Sequence, residues 1–127
     1  MAVQLTKTSD QKVLAGKLIF QPVADSTAAT GITGVASGEF YVVKINNAAN
    51  SAAVYVKMLD GAAATPGATH PDWIFYAAAG ATQEYVMPLG VPYSVGLVLW
   101  AVTGAESTGG SSAADPTSSV LVHVVAQ

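Results

Sequence analysis

The stretch Pro92–Thr103 reads PYSVGLVLWAVT and is the longest apolar run in the chain. A helix needs about 20 apolar residues to cross a bilayer, so this run is too short to span one. Val95, Val98 and Val102, with Leu97, Leu99 and Trp100, are β-branched, aromatic or bulky aliphatic, and such side chains suit a pleated strand better than a helix. A strand apolar on both faces must be covered twice. A second sheet covers one side; a loop, the N-terminal arm or a neighbouring subunit covers the other.

The remaining composition agrees with one β-rich domain. At 127 residues the chain is long enough to bury a core. Hydrophobic residues make up 51% and charged residues 10%, against about 25% charged in an ordinary globular protein. Mean hydropathy is +0.43, high for a chain with no membrane segment, and the apolar surplus is expected to be buried in an assembly. Net charge is −3, with five lysines and no arginine, the usual reader of phosphate and base edges, so nucleic acid is not the expected partner. Cysteine is absent, which excludes disulfides, thiolate metal sites and cysteine nucleophiles. The start, MAVQLTKTSDQK, lacks the apolar core of a secretory signal, and synthesis in the cytoplasm is expected.

Working outward, residues 1–11 read as an N-terminal arm or weak edge strand, and 12–127 as a single domain. Val13–Pro22 (VLAGKLIFQP) reads as one strand with Gly16 at a bulge position, and Val23–Gly38 as a long loop or frayed strand. Glu39–Ile45 is a strand with Tyr41, Val43 and Ile45 inward and Phe40, Val42 and Lys44 outward. After the turn cluster Asn46–Ser51, Ala52–Leu59 is expected to pair back as a hairpin, Val54, Val56 and Met58 inward. Asp72–Tyr76 and Thr82–Met87 are further strands, Pro88–Pro92 a turn, Gly104–Ser118 a mobile serine- and glycine-rich excursion, and Ser119–Ala126 the closing strand. Seven or eight strands without an amphipathic helical stretch indicate an all-β fold, a two-sheet antiparallel β-sandwich. The spacing fits jelly-roll-like and immunoglobulin-like connectivity equally.

Few residues suggest chemistry. Pro92-Tyr93-Ser94-Val95-Gly96 approaches the G-x-S-x-G nucleophile elbow, but proline holds the position that needs a small residue and a strand follows where a helix is required. Ser94 therefore reads as a serine at a strand start. His70, Asp72, Glu84 and His123 are the acid–base or metal candidates; only His70 and Asp72 are close in sequence, so no metal or other cofactor is expected. Trp73, Tyr76 and Tyr93 form a candidate aromatic rim for sugar rings, with Phe75 beside them; the alternative is that Trp73 and Phe75 fill the core.

From Glu39 to Gln127 the order of motifs resembles small β-sandwich virion proteins of tailed bacteriophages. These motifs are INNAANSAAVYVKMLDG, TPGATHPDWIFYAAAGATQEYVMP and GVPYSVGLVLWAVTG, followed by a Gly/Ser/Asp-Pro loop and a valine-rich strand. The resemblance implies a non-enzymatic structural protein, foremost a capsid decoration (cement) protein on the outer surface of a shell. Its partners would be the major capsid protein or another virion protein and further copies of itself, a trimer by resemblance. A tail, neck or fibre component is the alternative within the virion, and a carbohydrate-binding module recognising a host glycan is the alternative outside it. Three of the five lysines lie in the first 17 residues, which makes this end locally basic. Val3, Leu5, Lys7 and Lys12 are accordingly the candidate capsid-docking residues.

Overall fold

The computed structural model describes residues 11–14, 17–26, 29–34, 36–104 and 115–127, with side chains from residue 17 onward. The described residues form ten strands and no helix: β1 (Gln11–Leu14), β2 (Lys17–Phe20), β3 (Val23–Ala24), β4 (Thr30–Gly31), β5 (Gly38–Asn46), β6 (Val54–Asp60), β7 (Trp73–Ala77), β8 (Thr82–Tyr93), β9 (Leu97–Val102) and β10 (Val120–Ala126). They build two antiparallel sheets packed face to face. Sheet A has the order β1-β2-β10-β5-β8, with β3 also on β10, and sheet B the order β4-β9-β6-β7.

The pairing is nested. The β2–β3 segment pairs with β10, β4 with β9, β5 with β8 and β6 with β7, as if one long hairpin had been rolled onto itself. With β2 and β3 counted as one strand interrupted at Gln21–Pro22, the sheets have the orders 1-8-3-6 and 2-7-4-5, which is jelly-roll connectivity. The immunoglobulin-like alternative is thereby removed.

The apolar run Pro92–Thr103 supplies β9, an inner strand of sheet B between β4 and β6. All six residues of β9 are buried. Leu97, Leu99 and Ala101 join the inter-sheet core with Phe40, Val43, Ile45, Val56, Met58 and Val122. Val98, Trp100 and Val102 on the opposite face are 2%, 1% and 0% exposed, so one chain supplies both covers and no neighbouring subunit is needed.

Several local expectations are corrected. β5 and β6 do not form a hairpin; they lie in different sheets, and the link from Asn47 to Ala53 crosses between them. Asn47 holds that crossing. Its Nδ2 donates to the carbonyls of Ala52 at 3.0 Å and Ala78 at 2.9 Å, while Asn50 Nδ2 donates to Asn47 Oδ1 at 2.8 Å and to the Ser118 carbonyl at 2.9 Å. Both asparagines are almost fully buried, so these bonds satisfy groups that water does not reach. Val13–Pro22 is not one strand, because β1 and β2 pair antiparallel starting from Leu14 and Lys17. Only two residues, one of them glycine, separate that pair, the spacing of a tight hairpin. The Val23–Gly38 segment contributes two short strands, β3 to sheet A and β4 to sheet B.

The largest correction concerns β8, which continues from Thr82 to Tyr93 through both prolines. β8 is an edge strand, where a missing N–H need not break a ladder. Phe40 pairs with Val91 and Val42 with Val86, so Tyr41 alone faces the four residues Met87–Gly90. This bulge resets the phase of β5. Phe40 turns inward at 0% exposure, edge-on to Trp73 at 5.0 Å between ring centroids, and Tyr41 turns outward.

Candidate interaction surface

The outer face of sheet A is assembled by register. Ile19 pairs with Val125, Val125 with Val42, and Val42 with Val86, which lays four β-branched side chains in one row across four strands. The neighbouring row is polar: His123 pairs with Lys44, and Lys44 with Glu84. Gln21 adjoins His123, with 3.4 Å between their Nε2 atoms. On the other flank, the Lys17 ammonium sits 4.7 Å from the centroid of the Tyr41 ring. Tyr41 donates its hydroxyl proton to Glu39 Oε1 at 2.7 Å, and that bond holds its phenol above the usual range. In the apolar row Ile19, Val125 and Val42 are half-buried, and Val86 is 58% exposed.

The row ends at the open edge of the sheet, where the bulge rises. Gly90 closes the bulge at φ +80°, and a Cβ there would lie 2.9 Å from Tyr41 Cε1, so this position requires glycine. Leu89 stands at the tip, 93% exposed. The companion edge in sheet B is treated differently. Tyr85, on the inward side of β8, donates its hydroxyl to the Tyr76 carbonyl at 2.6 Å and accepts from the Tyr76 N–H at 3.3 Å, which blunts the backbone of β7. The β8 stretch Thr82–Met87 carries no proline, and Thr82, Gln83, Glu84 and Val86 are all exposed.

The residues singled out for chemistry are dispersed. Ser94 lies in the crossover from β8 to β9, bound to the Asp60 carboxylate through its N–H at 2.8 Å and its hydroxyl at 3.2 Å. The N–H groups of Val95 and Gly96 donate to the other Asp60 oxygen at 2.8 and 3.2 Å. These donors, the Ser94 N–H foremost, hold the Asp60 carboxyl below its usual pKa range. Asp60 is thus a structural clasp that ties the end of β6 to the crossover from β8 to β9. Asp72 accepts from the Asp60 N–H at 2.8 Å beside β7, whereas Glu84 and His123 stand on either side of Lys44 on the outer face of sheet A. Among the described residues no group of three or more His, Cys, Asp or Glu comes together to hold a metal.

The aromatic candidates separate as well. Trp73 packs against the core, Tyr76 projects to the opposite face of β7 beside Tyr55 at 5.4 Å, and Tyr93 is buried with its hydroxyl donating to the Gln127 carbonyl at 3.2 Å. Burial raises the Tyr93 phenol above its usual pKa. Beside Tyr93 an open depression of about 410 Å³ over Gly38, Glu39, Pro92 and Gln127 adjoins a more enclosed cavity of about 140 Å³, lined by Leu18, Phe20, Thr33 and Ser37. The enclosed cavity is smaller than the roughly 300 Å³ at which pockets for drug-sized ligands begin, and the larger depression is a shallow surface feature instead of a cleft that would bury a ligand. Of the docking candidates, Val3, Leu5 and Lys7 lie outside the described residues, and Lys12 is placed in β1 opposite Ile19, at the far end of the apolar row. Comparison with known protein families, with characterised proteins and with solved structures returned no match to this chain.

Proposed function

We propose that the chain is a non-enzymatic structural subunit of a virion. The reading we favour is a capsid decoration protein that sits in several copies on the outside of a shell and adds contact area between neighbouring capsomers. One observation carries this reading: the outer face of sheet A leaves the row Ile19–Val125–Val42–Val86 accessible in a protein with 10% charged residues. An apolar stripe bordered by Lys44, Glu84 and His123 suits a protein surface, with an apolar centre and a polar rim. The fold supports the reading at the level of analogy, since jelly rolls recur in viral capsid proteins and also in lectins.

The test is to locate the protein in purified particles by electron cryomicroscopy and to compare incorporation of Val42→Lys, which places a charge in the stripe. Copies on the shell, and loss of incorporation by a variant that melts within a few degrees of wild type, are expected. Absence from particles would overturn the reading, and copies confined to the tail or neck would favour the alternative within the virion. Binding to a glycan array that is abolished by Tyr76→Ala, at the 43% exposed aromatic of β7, in a variant that melts as wild type would favour a carbohydrate-binding module.

A further inference from the structure

We propose that residues 3–8 of a neighbouring copy add a strand to the open edge of β8, so that N-terminal arms strap the subunits of an oligomer together. This goes beyond the virion reading and does not depend on it. The acceptor is a prolineless backbone edge, Thr82–Met87, whose outward side chains are Thr82, Glu84 and Val86. No strand among the described residues pairs with this edge, and an open edge of this length is a template for another strand. The donor is legible in the sequence: Val3-Gln4-Leu5-Thr6-Lys7-Thr8 alternates with period two, placing Val3, Leu5 and Lys7 on one face and Gln4, Thr6 and Thr8 on the other.

One antiparallel register satisfies charge and hydrophobicity together. With Lys7 opposite Glu84, Leu5 falls opposite Val86, which is 58% exposed, and Val3 reaches the bulge beside Leu89, which is 93% exposed. Cross-strand pairs of opposite charge and of aliphatic side chains both favour pairing. A shift by one residue would set Lys7 beside Tyr85 or Gln83 and turn Leu5 to the other face.

Chain length decides whose arm this is. β1 and β8 are the opposite ends of sheet A, four strand positions apart. At about 4.8 Å per position, a strand added outside β8 lies about 24 Å from β1. From Lys7 to Gln11 the chain extends at most about 14 Å. An arm in this register cannot come from the same chain, so it comes from another copy. The contact is then heterologous, β8 of one copy receiving the arm of the next, and it builds a ring where the rotation between copies closes. The arm is thereby assigned to the neighbouring subunit instead of the shell surface.

Two experiments on the full chain test this without particles. Sedimentation velocity should show a concentration-dependent oligomer. Lys7→Glu and Glu84→Lys should each weaken it about fivefold, as expected when an exposed ion pair becomes a like-charge pair, and the double reversal should restore it. In this cysteine-free chain, a tagged Leu5→Cys variant mixed with untagged Val86→Cys should give a mixed disulfide-linked dimer under mild oxidation. A wild-type protein that stays monomeric throughout the micromolar range would overturn the proposal. So would single reversals without effect, or the absence of the mixed dimer.

Discussion

Asn50→Ala should be among the costliest single polar truncations in this protein. Asn50 is 5% exposed and ties two crossings together: its Nδ2 donates to Asn47 Oδ1 at 2.8 Å and to the Ser118 carbonyl at 2.9 Å, and its Oδ1 accepts from the Ser118 N–H at 2.7 Å. Truncation to alanine leaves those three partner groups without their bonds. An unsatisfied buried polar group costs about 1–3 kcal/mol. Ser118 is half-buried, so water can replace part of the loss on its side. The lower end of the range, about 1 kcal/mol for each of the three groups, gives about 3 kcal/mol in total. At about 4 °C per kcal/mol for a domain of this size, the melting temperature should fall by about 12 °C. Thermal melts followed by circular dichroism, with urea titrations to confirm an unchanged m-value, measure the effect. Asn46→Ala is the control, because Asn46 is exposed and its Oδ1 accepts only one bond, from the Ala48 N–H at 3.1 Å. It should cost less than about 1 kcal/mol. Equal shifts for the two variants would refute the buried network as a source of stability.

Trp100→Ala should cost about 3–5 kcal/mol, as truncation of a fully buried aromatic does, and an unchanged melt would put the indole in solvent and break the account of β9. The Asp60 carboxyl titrates below its usual range because the Ser94, Val95 and Gly96 N–H groups favour its charged form. Its contribution to stability is therefore present above about pH 4 and is lost as the pH falls through the lower folded value. Asp60→Asn should melt lower than wild type at pH 7 and the gap should narrow at pH 3; a gap that stays constant with pH would remove the charge from the explanation. Gly90→Ala should destabilise by about 1–2 kcal/mol through the positive φ, with further cost from the approach to Tyr41, and a neutral effect would mean that the bulge re-forms without strain.

Local chemistry was legible in the sequence wherever side-chain alternation alone decides the outcome. The all-β class, the two-sided burial of Leu97–Val102 and the inward set Val54/Val56/Met58 follow from which side chains avoid water, and every residue of that run and that set is buried in the fold. Alternation says which face of a strand is inward but not which strand lies beside it. Glu39–Ile45 and Ala52–Leu59 therefore looked like a hairpin, although their partners come from β8, β10, β7 and β9. The phase of β5 was lost for a related reason: a bulge across from Met87–Gly90 depends on two segments more than 40 residues apart, and only their pairing reveals it. Candidate catalytic and aromatic residues were recognisable by type, but their convergence is a property of tertiary placement, and the sandwich distributes them over different faces. The apolar row on sheet A was hidden for the same reason. Each of its members is one residue in a different strand, and nothing in the order of the chain joins Ile19, Val42, Val86 and Val125 until hydrogen-bonded register sets them side by side.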